Sequence, residues 1–303
     1  MDLQKFRGVF AAAPTPFCAD GTVDTATAEK LTEYYIDGGI SGIFALSSTG
    51  EYFAMGHKQR AQMLDATVKA ASGRVPVLAA ASDASLEIVK ENIQTAAAYG
   101  VDGVVLTAPY YFKYSQSELY RFFSEAADAS PLPVLLYNQP TRLPSALEED
   151  LVLKLADHPN IIGLKDTSAD ASRLGKMAGK LGDREDFLYY AGSESLAAYG
   201  ALHGVNYVYA LASVEPELFV KMKQLADAGD VGGVLKAQAR VDHLCKLFRV
   251  MGGGSGESFT NFAAAIKGAL EVKGFGRAYT AQLGRLPSPQ EYEAIRSILE
   301  QTV

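Results

Sequence analysis

Residues 161–170 read IIGLKDTSAD, and the first five of them decide the fold. Ile161, Ile162 and Leu164 form a short unbroken apolar run, the habit of a parallel strand covered on both faces. Seven further runs of this kind stand at 8–12, 42–46, 75–79, 103–107, 133–137, 187–191 and 204–210. Segments with helical spacing separate most of them, at 25–38, 57–71, 86–99, 116–129, 148–156 and 171–181. Eight buried strands alternating with helices predict one α/β domain, a parallel (β/α)8 TIM barrel, where length alone would suggest two domains. A doubly wound open sheet is the structural alternative, but no Gly-x-Gly-x-x-Gly follows the first strand, where AAAPTPF stands.

Helical patterns continue at 215–226, 230–250, 257–274 and 289–301. The first can close the barrel, so the expected division is a catalytic barrel over 1–226 and a helical extension over 227–303 packed on it. The GGGSG at 252–256 reads as a helix-to-helix turn, since five residues joining two helices are short for a linker.

The 303 residues are 48% hydrophobic and 21% charged, with a formal net charge of -7. No local run of Lys and Arg offsets that charge, which argues against a nucleic-acid partner. No apolar run approaches the roughly 20 residues that span a bilayer, and MDLQKFRGVF lacks the pattern of a secretion signal. Cys18 and Cys245 are too few and too distant for a disulfide framework. Two free, partly buried thiols and a cytoplasmic location are expected.

In such a barrel the chemistry sits at the C-terminal ends of the strands. There the second strand runs into Ser47-Ser48-Thr49-Gly50-Glu51, the fourth into Pro109-Tyr110-Tyr111, the fifth ends on Tyr137-Asn138, the sixth on Lys165 and the seventh on Gly192-Ser193-Glu194. Alone, each has an ordinary explanation. Ser48 and Thr49 can cap the next helix with Glu51 as a further partner, Tyr111 and Tyr137 can be core aromatics, and Lys165 can pair with a buried carboxylate. Their joint placement points to chemistry. An apolar barrel mouth disfavours a charged amine and so favours a neutral nucleophile able to condense with a ketone. The resulting protonated Schiff base withdraws electrons from the neighbouring carbon. A phenol can then move protons there, while hydroxyls and backbone N–H groups hold a carboxylate.

With these residues assembled, the chain resembles the dihydrodipicolinate synthase and N-acetylneuraminate lyase family over essentially its whole length. The matching motifs are the TPF of 15–17, STGE of 48–51, PYY of 109–111, YNQP of 137–140 and GLKDTSAD around Lys165. The resemblance implies a Schiff-base aldolase with Lys165 as nucleophile, Tyr137 as proton-transfer residue, Ser48 as relay hydroxyl and Thr49 as a partner of the pyruvyl carboxylate. It also implies that Tyr111 is lent across a dimer interface, that two dimers form a homotetramer, and that no metal or organic cofactor is needed. His57, His158, His203 and His243 are then surface or structural residues.

Departures from the family pattern bear on the substrate. Ser47 replaces a glycine, which would narrow the pocket, and Gly192-Ser193-Glu194 lacks the Tyr-Asp-Glu run of a sialic acid lyase. Arg142 stands where a dihydrodipicolinate synthase has the arginine for its second substrate's carboxylate, although a solvated loop arginine reads the same way. Leu143-Pro144 follows it, and the eighth strand carries bulky Asn206, Tyr207 and Tyr209, which would reshape the acceptor pocket. Gly192, Glu194 and Asn206 therefore join Thr49 and Arg142 as candidate substrate contacts.

The expected function is a lyase making or breaking a carbon–carbon bond of a pyruvate-type 2-oxo acid with an aldehyde or sugar acid. Dihydrodipicolinate synthase and 2-keto-3-deoxy sugar-acid aldolase are its two main forms. A Schiff-base dehydratase or deaminase of a 2-keto-3-deoxy acid is the second reading. A non-catalytic keto-acid-binding regulator is the third.

Overall fold

The computed structural model describes residues 3–252, 258–281 and 283–301. Eight parallel strands close into a barrel in chain order: β1 (Val9–Ala12), β2 (Gly42–Ala45), β3 (Val77–Ala80), β4 (Gly103–Thr107), β5 (Val134–Asn138), β6 (Ile161–Asp166), β7 (Leu188–Ala191) and β8 (Asn206–Tyr209), with β8 returning to pair β1. Every expected strand is present, with ends displaced by one or two residues at most sites. Apart from Ala80, at the end of β3, every residue of the eight strands is buried, as sheets covered on both faces require.

Around the barrel run α1 (Thr25–Asp37), α2 (His57–Ala71), α3 (Leu86–Ala98), α4 (Gln116–Asp128), α5 (Glu149–Leu155), α6 (Ala171–Leu181), α7 (Ala197–Leu202) and α8 (Pro216–Asp227). Local chemistry sets where several begin. Asp24 accepts from Thr27 N at the start of α1, and Asp170 from Arg173 N at the start of α6. Ser115 and Glu118 form a capping box on α4. α7 has no counterpart among the helical segments read from the sequence. Its six residues, AAYGAL, are too few and too uniformly small to show a helical period.

Two apolar layers result. Inside the barrel, Phe10, Phe44, Leu135, Ile162, Tyr190 and Val208 pack together over Phe6, which plugs the N-terminal end. Outside it, the second faces of the strands meet the helices in one continuous core. The chain continues in α9 (Val231–Leu244), a 3-10 turn (Cys245–Arg249), α10 (Phe259–Val272) and α11 (Pro289–Glu300). The single pattern expected at 230–250 is thus split. Residues 253–256 of the GGGSG turn lie outside the described residues.

Candidate active site

Tyr137 and Lys165 sit at the mouth ends of β5 and β6 and are directly paired in register. Neighbours in a parallel register point to the same face, here the barrel interior. Lys165 is 5% exposed. Its Nζ lies 4.3 Å from the Tyr137 ring centroid and 5.2 Å from that of Phe44. Among the described residues it makes no ion pair, so the reading in which a buried carboxylate neutralises it does not hold. The adjacent Asp166 is already engaged: it pairs with Arg173 at 2.5 Å and accepts from Asn138 Nδ2 and Ser168 N.

Burial alone would push the Tyr137 phenol above its ordinary pKa. The neighbouring Lys165 charge, the Thr167 and Ser48 hydroxyls beside it, and Arg142 more than reverse this and hold it below its ordinary value. Thr167 Oγ1 is otherwise a buried oxygen without a partner of good geometry. Its place in the site was not foreseen; its location two residues past Lys165 was the available signal. Gly192 is required by close approach. A Cβ there would lie 2.1 Å from Thr167 Oγ1 and 3.0 Å from Lys165 Cε, so any side chain would displace Thr167 and crowd the lysine.

Ser48, Thr49, Tyr137, Lys165, Gly192 and Glu194 share one cavity of about 740 Å³ at the barrel mouth. Arg142 lines it from the loop after β5, with its guanidinium 4.9 Å from the Phe259 ring centroid and no ion pair among the described residues. Phe248, Phe259 and Phe262 close the outer side, together with Lys246 and Arg249. The extension therefore supplies a wall of the pocket. Cys245 also lines it, but burial, aided by Glu194 and Asp242, pushes its thiol up to about 12. A thiol so protonated is a poor nucleophile. Cys18 is exposed, not partly buried as expected.

Several expectations are corrected. Ser48 and Thr49 do not cap α2, whose N-cap is Gly56, and Glu51 is buried against the extension. Ser47 does not narrow the cavity, because its hydroxyl turns back to accept from Gly50 N at 3.1 Å. Asn206 does not line this cavity. It is the first residue of β8, at the closed end of the barrel, where it accepts from Gly8 N and donates to Tyr189 O. Tyr207 and Tyr209 point outward into the helix layer, so Val208 is the residue β8 presents to the cavity. Glu194 lines the cavity, but one carboxylate oxygen already accepts from Ala210 N and Leu211 N. Tyr111 stands away from the cavity of its own chain, 84% exposed, with φ 85 and its ring edge-on to Phe112.

The sequence model of the Dihydrodipicolinate synthetase family matches residues 5–301. The chain belongs to this family and is a lyase. A curated relative, the 4-hydroxy-tetrahydrodipicolinate synthase of Laribacter hongkongensis, is 37% identical over 228 residues, covering 74% of this chain and 77% of that protein. Among solved structures, the dihydrodipicolinate synthase of Bacteroides thetaiotaomicron superposes with a TM-score of 0.90 at 30% identity, over 97% of this chain and 98% of that one. YagE of E. coli K12, a prophage protein of the dihydrodipicolinic acid synthase family solved in complex with pyruvate, gives 0.90 at 27% identity with the same coverage.

Proposed function

We propose that this member of the family condenses Lys165 with a pyruvate-type 2-oxo acid and makes or breaks a carbon–carbon bond to an aldehyde or sugar acid. The observation that carries the reading is a buried amine without an ion pair among the described residues, in register with a phenol whose pKa its surroundings lower. Nζ attacks the ketone carbon and water leaves, giving the iminium. Tyr137, assisted by Ser48, moves the proton at the carbon next to it, and Thr49 holds the carboxylate. The barrel, 1–226, supplies the reacting groups, and the extension, 227–303, encloses the second substrate.

Product analysis over a panel of 2-keto-3-deoxy acids, and of pyruvate with aspartate semialdehyde or other aldehydes, tests the reading. Release of pyruvate and an aldehyde, or their condensation, is expected. Loss of water or ammonia with the carbon skeleton intact would instead establish the dehydratase or deaminase chemistry. Binding of pyruvate without turnover would establish a regulator.

Arg142 takes an anionic group of the second substrate. Its free guanidinium, with Lys246 and Arg249 on the same cavity, makes a cationic rim on a protein of net charge -7. Losing a charge-assisted contact costs about 1.5 to 3 kcal/mol, so Arg142→Ala should lower kcat/KM for that substrate by roughly 10 to 100-fold. Schiff-base formation with pyruvate should survive. Unchanged kinetics on the true substrate would make Arg142 a surface residue only.

Tyr111 acts in the site of a second copy, and two such dimers form the tetramer. Its ring packs on Phe112, which is 64% exposed, and the adjacent Tyr110 packs on Phe53, which is 47% exposed; exposed aromatics of this kind mark an interface. Mixing Tyr111→Phe subunits with Lys165→Ala subunits should recover activity, since a shared site can combine an intact Lys165 with an intact Tyr111. Mixed dimers verified by mass spectrometry yet no more active than either parent would refute the sharing.

A further inference from the structure

The segment carrying Ser48 and Thr49 is held from two sides. On the barrel side, Thr15 Oγ1 donates to Gly50 O at 2.8 Å, and a Cβ on Gly50 would come within 2.8 Å of Ala13 O. On the other side stands Glu51, a non-glycine residue at φ 61 whose carboxylate is buried. Its carboxylate is met by Lys267 and Ala281, both from the extension and more than 200 residues away in sequence. Lys267 of α10 donates to Oε1, Ala281 N donates to Oε2 at 2.8 Å, and Lys267 also donates to Tyr279 O at 2.8 Å. Lys267 Nζ lies 4.4 Å from the Phe17 ring centroid, so the pair is walled by apolar surface as well.

A buried ion pair is weak support for stability, because desolvation offsets its attraction and well-packed apolar residues often serve as well or better. What it does supply is a fixed geometry. Here that geometry begins two residues after Thr49 and holds a left-handed backbone that is unfavourable for a glutamate.

We propose that Glu51 and Lys267 are positioning residues, which clamp the Ser48-Thr49 turn against the mouth of β5 and make the C-terminal extension part of the catalytic apparatus. The proposal rests on the function proposed above for Ser48 and Thr49. Neither clamp residue touches substrate. Their effect passes through the distance of the Ser48 hydroxyl from Tyr137 and the placing of Thr49 for the carboxylate.

The discriminating variant is the double substitution Glu51→Gln/Lys267→Met, which leaves no unpaired buried charge. Thermal unfolding should remain cooperative and near the wild-type midpoint. Misplacing a reacting group by about 1 Å can cost about 100-fold, so kcat should fall roughly 10 to 100-fold and KM for pyruvate should rise, while KM for the second substrate, held by Arg142, should stay within about twofold. General loosening of the fold would move both KM values together. Should the double variant not fold, Glu51→Asp keeps the paired charge while shortening its reach to Lys267, and should lower kcat by about 3 to 10-fold. A crystal structure of the folded variant should show Ser48 Oγ moved away from Tyr137. A folded variant with wild-type kcat and pyruvate KM, or with Ser48 unmoved, overturns the proposal. Borohydride reduction of the wild-type protein with pyruvate separates the two levels: absence of an adduct on Lys165 breaks the functional reading, whereas the position of Ser48 in the variant still judges the clamp.

Discussion

Lys165→Ala should abolish turnover, by more than about 10,000-fold, because loss of a covalent nucleophile removes the reaction path and not a single contact. In the wild-type protein, borohydride in the presence of pyruvate should reduce the iminium to a stable secondary amine. One adduct should then appear on the peptide containing Lys165. The amine is buried, has no carboxylate within ion-pair distance among the described residues, and faces the cavity beside Gly192, where the missing side chain leaves it room. Because α6 starts after the strand and Asp166 is held by Arg173, the alanine variant should keep its fold and its thermal midpoint. Labelling of another lysine, or none under turnover conditions, would remove the Schiff-base mechanism.

Tyr137→Phe should lower kcat by about 100 to 10,000-fold, the usual range for a general acid–base group, while leaving pyruvate able to form the Lys165 adduct at a reduced rate. The pH profile gives a sharper check. Burial opposes ionisation of the phenol, but the charge on Lys165 and the Thr167, Ser48 and Arg142 side chains favour the phenolate and bring its pKa below 10. Where the phenolate is the base, activity rises with pH through that lowered pKa. Ser48→Ala removes a hydrogen bond that favours the charged form, so the rising limb should move to higher pH. A limb that stays in place in Ser48→Ala would show that another group controls it.

The extension illustrates how function is distributed in this chain. By sequence it is a run of helices appended to a finished barrel. In space it contributes Phe248, Phe259 and Phe262 to the outer wall, stacks Phe259 against Arg142, and buries Lys267 against the loop after β2. Loss of the extension would therefore remove one side of the acceptor pocket together with the clamp on Ser48 and Thr49.

The barrel and most of its mouth were legible in the sequence. Parallel strands covered on both faces appear as unbroken apolar runs, and eight of them with helices between leave few other closures. Since chemistry in this fold sits where strands end, strand position was enough to place Lys165, Tyr137, Ser48, Thr49 and Gly192 together at the barrel mouth. The same property hid the rest. When both faces are apolar, alternation no longer says which residues point inward, and so Asn206, Tyr207 and Tyr209 read as pocket residues although β8 offers Val208. Ser47 and Thr167 differ by which way a hydroxyl turns, a matter of the backbone path and not of residue type. The Glu51–Lys267 pair joins positions 216 residues apart. Each residue alone reads as an ordinary helix-capping or surface charge, and only the closed tertiary structure, by excluding water from both, makes them partners.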